Sequence, residues 1–86
     1  MKVILHHKFK KAYKKLRKNE QKRFKERRNI FLINPLDPIL ENHALSGKYE
    51  GYRSINVGGD LRVIFKLLTP EIALFATVDT HSNLYK

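Results

Sequence analysis

The sequence predicts an α+β fold in which two N-terminal helices pack on one face of a small, largely antiparallel sheet. The predicted element order is β-α-α-β-β-β. Three observations lead to this prediction: a 3.6-residue apolar periodicity in the first third of the chain, strand-like apolar segments after Lys48, and short turn sequences between those segments. We expect residues 1–86 to form a single domain, because a chain of this length supports one small core.

The first third of the chain predicts a short strand followed by two helices. Lys2–His6 alternates loosely around three apolar residues, which is typical of a strand. Apolar residues then recur at i, i+3, i+4 and i+7, the stripe of an amphipathic helix. These residues are Phe9, Ala12, Tyr13 and Leu16. We expect Asn19 to cap a second helix from about Glu20 to Ile33, and the prolines of Asn34–Pro38 to end it.

The rest of the chain predicts a loop and three strands. Residues 39–47 are expected to form a loop or a short helical turn that carries His43. The strands are expected at Tyr49–Val57, Leu61–Leu68 and Ile72–Val78. Gly58-Gly59 and Thr69-Pro70-Glu71 separate them and are typical turn sequences. The residues after Val78 are expected to form a tail that ends in THSNLYK.

The positive charge of the chain is concentrated in the two predicted helices. Residues 1–33 hold 13 Lys and Arg and two Glu, a net charge of +11, whereas residues 34–86 hold five Lys and Arg and six Asp and Glu, a net charge of −1. Lys11 and Lys15 form a like-charge pair four residues apart, which opposes helix formation. Such a surface favours a partner rich in phosphate, although an acidic peptide would fit it equally and many lysine-rich surfaces are merely solvated.

Several classes of protein are disfavoured by composition. The chain has no cysteine, so it holds neither a disulfide framework nor a zinc–cysteine site. Its longest uninterrupted apolar segment, Ile72–Ala76, is far too short to span a membrane, and the apolar residues near the N-terminus are too few for a signal peptide. We therefore expect a cytoplasmic protein with no membrane association.

Two of the four histidines are candidates for proton transfer. His43 lies in the predicted loop and His81 follows the last predicted strand, and imidazole exchanges protons near neutral pH. A structural or incidental role is the alternative for both, and it is the interpretation we favour for His6 and His7. The histidine spacing does not indicate a metal site.

Arg62 is a cation within an otherwise apolar strand. If Leu61, Val63 and Phe65 face the helices, Arg62 and Lys66 share the opposite face of the sheet. A forked, permanently charged guanidinium on that face is suited to phosphate. A structural ion pair of Arg62 with Asp60 or Glu50 is the alternative, and the pattern alone does not separate the two.

An ordered set of motifs in residues 42–85 resembles the RelE/ParE superfamily of bacterial toxins, and within it the YafQ-like mRNA endoribonucleases. The motifs are NHALSGKYEGYRSINVGGDLRVIFK and, after one further strand, THSNLY. Residues 1–41 agree with the superfamily in the order of their elements, a strand and two helices, more than in amino-acid identity. The resemblance implies a RelE-like α+β domain that acts as the toxin of a type II toxin–antitoxin system. It also implies a cognate antitoxin as partner.

The resemblance further implies cleavage of mRNA at the ribosome without a metal or other cofactor. In that reaction the ribose 2′-OH attacks the adjacent phosphate and the 5′-oxygen leaves, which requires an acid, a base and stabilisation of charge. By position, the resemblance implies catalytic roles for His43, Asp60, Arg62 and His81. RNA-binding candidates from the helices, the sheet and the tail are Lys11, Lys14, Lys15, Arg53, Lys66 and Tyr85. A structural role is the alternative for Arg53.

The chain departs from the YafQ-like pattern at Ser54 and Asn56, where an acid and a histidine are usual. We therefore expect His81 to be the leading acid/base group, His43 the second, and Arg62 the electrostatic clamp. Two other functions stay open from the sequence. One is a ParE-like toxin that poisons DNA gyrase without nuclease chemistry, and the other is a plain RNA-binding module.

Overall fold

The computed structural model describes residues 1–85 and confirms the predicted class, an α+β domain with helices packed on a sheet. In chain order the strands and helices are β1 Lys2–Leu5, α1 His7–Lys14, α2 Lys18–Ile33, β2 His43–Ala44, β3 Arg53–Asn56, β4 Leu61–Thr69, β5 Ile72–Thr80 and α3 His81–Leu84. Two 3₁₀ turns, Pro38–Leu40 and Gly47–Tyr49, lie in the connection between α2 and β3.

The five strands form one sheet in the order β1-β5-β4-β3-β2. β1 pairs parallel to β5, and every other pairing in the sheet is antiparallel. The sheet is therefore largely antiparallel, as predicted, with the N-terminal strand added to one edge by a crossover through the helices.

All five phenylalanines of the sequence join the helices to the sheet. Phe9 of α1 lies 5.1 Å from Phe24 of α2, and Phe31 of α2 lies 5.2 Å from Phe65 of β4 and 5.3 Å from Phe75 of β5, measured between ring centroids. Each ring is at most 3% exposed, so each contributes about 1.5–3 kcal/mol by burial. This aromatic cluster fixes which face of the sheet the helices cover.

The start of α2 differs from the prediction. The helix begins at Lys18 and is capped by Arg17, rather than beginning near Glu20 with Asn19 as the cap. The reason is the Glu20 carboxylate, which accepts a hydrogen bond from the backbone N–H of Arg17 at 2.9 Å and forms an ion pair with its guanidinium at 3.3 Å. The hydrogen bond from the Arg17 side chain lowers the pKa of Glu20 below its ordinary value.

Two short elements were not predicted, and one predicted strand is shorter than expected. The strand expected over Tyr49–Val57 is Arg53–Asn56, because Tyr49 belongs to a 3₁₀ turn and Gly51 adopts φ +89°. The loop before it contributes the two-residue strand β2, and the tail forms α3. No helix within residues 1–85 is long and apolar enough to cross a membrane.

Candidate active site on the open face of the sheet

The face of the sheet turned away from the helices carries Arg62, Ile64 and Lys66 of β4, and we call it the open face. Along β4 these three residues alternate with Val63 and Phe65, which lie in the core. Residues paired across neighbouring strands point to the same face, so the register defines two adjacent rows here. The first row is His43, Ser54, Ile64 and Thr77, and the second is Asn56, Arg62 and Asp79.

His43 lies at the edge of the open face, on β2, with its side chain exposed. Its Nδ1 lies 2.7 Å from the backbone oxygen of Glu41. Because a carbonyl oxygen can only accept, this contact places the hydrogen of the neutral imidazole on Nδ1. The lone pair is then on Nε2, the nitrogen able to accept a proton from a substrate.

Glu41 is a candidate that the sequence did not indicate. It adopts a left-handed backbone conformation with φ +48°, which directs its carbonyl to His43. Its carboxylate accepts a hydrogen bond from the Asn56 side-chain amide at 3.3 Å. Asn56 pairs with Arg62, so this contact adds an acidic group beside the second row. Neither motif nor spacing marks Glu41, and only its place two residues before His43 could have drawn attention to it.

Arg62 is the second residue of β4, the central strand of the sheet, and its side chain bonds to the adjoining turn. Its Nη1 donates to the backbone oxygens of Gly59 and Leu61, each at 3.1 Å. Within residues 1–85 no carboxylate lies within ion-pair distance of Arg62, so the alternative of a structural pair with Asp60 or Glu50 is not observed. A guanidinium has five N–H donors, and these two contacts leave Nε and Nη2 for an anion.

His81 begins α3 at the end of β5, where the C-terminal tail folds back on the sheet. Its backbone N–H donates to the backbone oxygen of Asp60 at 2.8 Å, which brings the Asp60 turn beside it. The His81 ring lies 4.7 Å from the Tyr85 ring, and Leu84 is buried beneath. A hydrogen bond from the Asn83 backbone N–H to the Thr80 hydroxyl, at 3.2 Å, caps the helix. Through Tyr85 the tail therefore has a defined structure, and it presents His81 and Tyr85 together.

The strand order gives the relative placement of the predicted site residues. In the strand order, His43 on β2 and His81 after β5 lie on either side of Arg62 on β4. Asp60 is exposed in the β3–β4 turn next to His81. Lys66 shares the open face with Arg62, and its Nζ lies 5.5 Å from the Tyr52 ring centroid.

Arg53 stands apart from this group. It pairs with Phe65, on the face covered by the helices, and its Nε donates to the Asn42 side chain at 2.7 Å. This contact ties β3 to the residue before His43. The contact favours the structural alternative, and RNA binding by Arg53 stays a prediction.

The predicted lysines of α1 lie near the His81 end of the sheet. Lys11 and Lys15 line a groove of about 450 Å³ whose other side includes Asp79, Thr80 and Asn83. We call it the lysine groove. Lys14 is exposed on the same helix and does not line it. The helical charge therefore reaches the margin of the candidate site on one side.

Comparison with known proteins gives the family. The family model described as the bacterial toxin of type II toxin–antitoxin system, YafQ, matches residues 1–86. The chain is 35% identical over 81 aligned residues to the mRNA interferase toxin YafQ of Escherichia coli strain K12, covering 85% of this chain and 87% of that protein.

Solved structures agree with this match. The fold superposes on crystalline YafQ from E. coli strain BL21(DE3) with a TM-score of 0.81 and 25% identity, covering 98% of this chain and 97% of that one. YafQ in the E. coli DinJ–YafQ toxin–antitoxin complex superposes with a TM-score of 0.78 and 25% identity, covering 98% of this chain and 96% of that one. A YoeB/ParE toxin from Agrobacterium tumefaciens shares the fold, with a TM-score of 0.76 and 13% identity over 94% of this chain and 99% of that one. This chain belongs to the YafQ family of bacterial toxins of type II toxin–antitoxin systems.

Proposed function

We propose that this chain is an mRNA interferase that cleaves mRNA on the ribosome in the bacterial cytoplasm, acting as one domain over residues 1–86. The E. coli relative that is 35% identical bears the name mRNA interferase toxin. The observation that carries the proposal is the placement of His43 and His81 on either side of Arg62. An acid, a base and an anion clamp are the three functions that RNA transesterification requires.

In the proposed reaction His43 acts as the base and His81 as the acid. The Nε2 lone pair of His43 accepts the proton of the ribose 2′-OH as the 2′-oxygen bonds to phosphorus. The bond from phosphorus to the 5′-oxygen breaks, and His81 donates a proton to that oxygen. The products are a 2′,3′-cyclic phosphate on one fragment and a 5′-OH on the other.

Arg62 and Asp60 support this proton transfer. The free N–H groups of Arg62 stabilise the extra negative charge on the phosphoryl oxygens as the phosphorane-like transition state forms. Asp60 acts as a positioning residue for the proposed acid, because its backbone oxygen accepts a hydrogen bond from the His81 backbone N–H. Glu41 acts as a positioning residue, because its carbonyl holds the His43 ring in the tautomer that a base requires.

The cationic and aromatic side chains around the site bind RNA. Tyr85 offers a ring for base stacking beside His81, and Lys66 offers a cation on the open face. Lys11, Lys14 and Lys15 on α1 attract the phosphate backbone of mRNA and of the ribosome. Arg53 positions the loop that carries His43 through its hydrogen bond to Asn42.

We also propose a cognate antitoxin as the partner that silences the toxin. Support comes from E. coli YafQ, which has been crystallised in a DinJ–YafQ toxin–antitoxin complex. The antitoxin either places acidic residues along the basic helices or covers the open face. Cover of the open face would block RNA from the site, and cover of the helices would withdraw their lysines from RNA.

The first experiment tests whether cleavage depends on the ribosome. The purified chain is incubated with a defined mRNA in the presence and in the absence of ribosomes halted on it. We expect a discrete cut in the codon at the decoding site only when ribosomes are present, because the isolated site has few contacts to order a flexible RNA strand. Equal cleavage of naked mRNA would contradict ribosome dependence. Intact mRNA together with gyrase-linked DNA breaks would instead support the ParE-like function.

A further inference from the structure

A second concave surface on the open face is not used by the proposed reaction. This groove has a volume of about 410 Å³, within the range of ligand pockets. Its lining includes the buried Ile64, the half-buried Leu74, Tyr49 and Tyr52, and the exposed Lys8 and Lys48. We call it the tyrosine groove.

We propose that the tyrosine groove binds a nucleotide of single-stranded RNA that flanks the scissile link. The inference rests on the proposed function, since it concerns the same RNA strand. It adds a separate subsite, with its own base contact, beyond the residues that act on the reacting ribose and phosphate.

The chemistry of the lining favours a nucleotide. Two tyrosine rings supply stacking surfaces, and every base has a face that stacks. The Lys48 Nζ lies over the Tyr49 ring, 5.2 Å from its centroid, and the Lys66 Nζ lies over the Tyr52 ring at 5.5 Å. One face of each ring thus carries a cation that can pair with the adjoining phosphate, and the base stacks on the other face. The combination of aromatic faces and cations is typical of surfaces that bind single-stranded nucleic acid.

The groove is also free of opposing charge. No Asp or Glu of residues 1–85 lines it. The lysine groove, by contrast, includes Glu20 and Asp79 among its lining residues and no aromatic ring. Of these two grooves, the tyrosine groove is the one that matches both parts of a nucleotide.

The position of the groove matches an RNA strand that continues past the reacting phosphate. Ile64 lies two residues from Arg62 on the open face, a separation of about 7 Å along the strand. The Tyr49 ring lies 5.8 Å from the Tyr85 ring, which lies 4.7 Å from the His81 ring. An unbroken aromatic path thus leads from the proposed acid to the groove.

Binding of a non-cleavable RNA tests the proposal. The full chain is titrated against a fluorescent 2′-O-methyl RNA hexamer of mixed sequence, followed by anisotropy at low salt. We expect Tyr52→Leu to weaken binding about 5- to 150-fold, the range for loss of one stacked base, and Tyr52→Phe to stay within about twofold of wild type. Lys25→Gln, at an exposed position on α2, is the charge-matched control for the variant Lys48→Gln described next, and it is expected to bind as wild type.

Lys48→Gln decides the question if Tyr52→Leu does not fold. This exposed lining residue makes no hydrogen bond that the fold requires within residues 1–85, and its loss should reduce the slope of log affinity against log salt by about 0.7. Wild-type binding by both Tyr52→Leu and Lys48→Gln would overturn the proposal. A polyglutamate peptide that displaces the RNA equally well from the wild type and from Tyr52→Leu would also overturn it, because charge alone would then hold the RNA.

The same variants separate this inference from the proposed function. If mRNA cleavage persists while Tyr52→Leu leaves RNA binding unchanged, the groove assignment fails and the nuclease stands. If the wild type never cleaves mRNA but its RNA binding depends on Tyr52, the proposed function fails and the groove assignment stands.

Discussion

The His81→Ala variant is expected to lose toxicity when it is induced in bacteria, with mRNA cleavage reduced by about 10²- to 10⁴-fold, the usual contribution of one general acid or base. The physical reason is the loss of the proton donor for the departing 5′-oxygen. The domain should stay folded, because the contact of residue 81 with the Asp60 turn is made by the backbone N–H. The measurements are growth after induction and primer extension across a translated mRNA.

The matched control for this prediction is His7→Ala. His7 is an exposed histidine in the first turn of α1, outside the candidate site. It should leave growth arrest unchanged, and both variants should show the circular dichroism spectrum and melting temperature of the wild type. A folded His81→Ala variant that arrests growth like the wild type would remove His81 from the mechanism.

Arg62→Gln should lower the rate of cleavage by about 10²- to 10³-fold, because the extra charge of the transition state then loses its clamp. Arg62→Lys should recover part of the rate, since ammonium keeps the charge but lacks the fork that can hold Gly59 and Leu61 while binding phosphate. Single-turnover cleavage of ribosome-bound mRNA measures this rate separately from RNA binding.

Lys25→Gln removes one positive charge far from the open face and is the control for Arg62→Gln. It should leave the single-turnover rate at the wild-type value. If a folded Arg62→Gln variant cuts as fast as Lys25→Gln, Arg62 contributes only the hydrogen bonds to its turn. Thermal unfolding of the three proteins shows whether those bonds matter for stability.

The fold was largely predictable because its strongest signals are local. The Phe9 stripe and the Gly58-Gly59 turn each identify an element through residues close in sequence. The two-residue strand β2 could not be predicted, because its pairing with β3 depends on a long-range register rather than on its own composition. The helix of the tail depends on Thr80 as its cap and on burial of Leu84, a contact made across the fold.

The candidate site was predictable where alternation along one strand was enough. Arg62 and Lys66 were correctly placed on one face, opposite Val63. The face on which Arg53 lies could not be predicted, because it depends on the pairing of β3 with β4. The Glu41 carboxylate and the Tyr52 ring were linked to the site only through spatial neighbours, Asn56 and Lys66, which lie 15 and 14 residues away along the chain. Sequence spacing carries no signal for such contacts.

The chemistry of the cut tests the central claim most directly, namely that His43, Arg62 and His81 act on one ribose-phosphate link. A synthetic mRNA with a single 2′-deoxynucleotide on the 5′ side of the cut is placed on the ribosome and mixed with the wild-type chain. We predict that this mRNA stays intact, while the all-ribose mRNA yields a 2′,3′-cyclic phosphate and a 5′-OH. Cleavage of the deoxy substrate, or a 5′-phosphate at the cut end, would contradict the account.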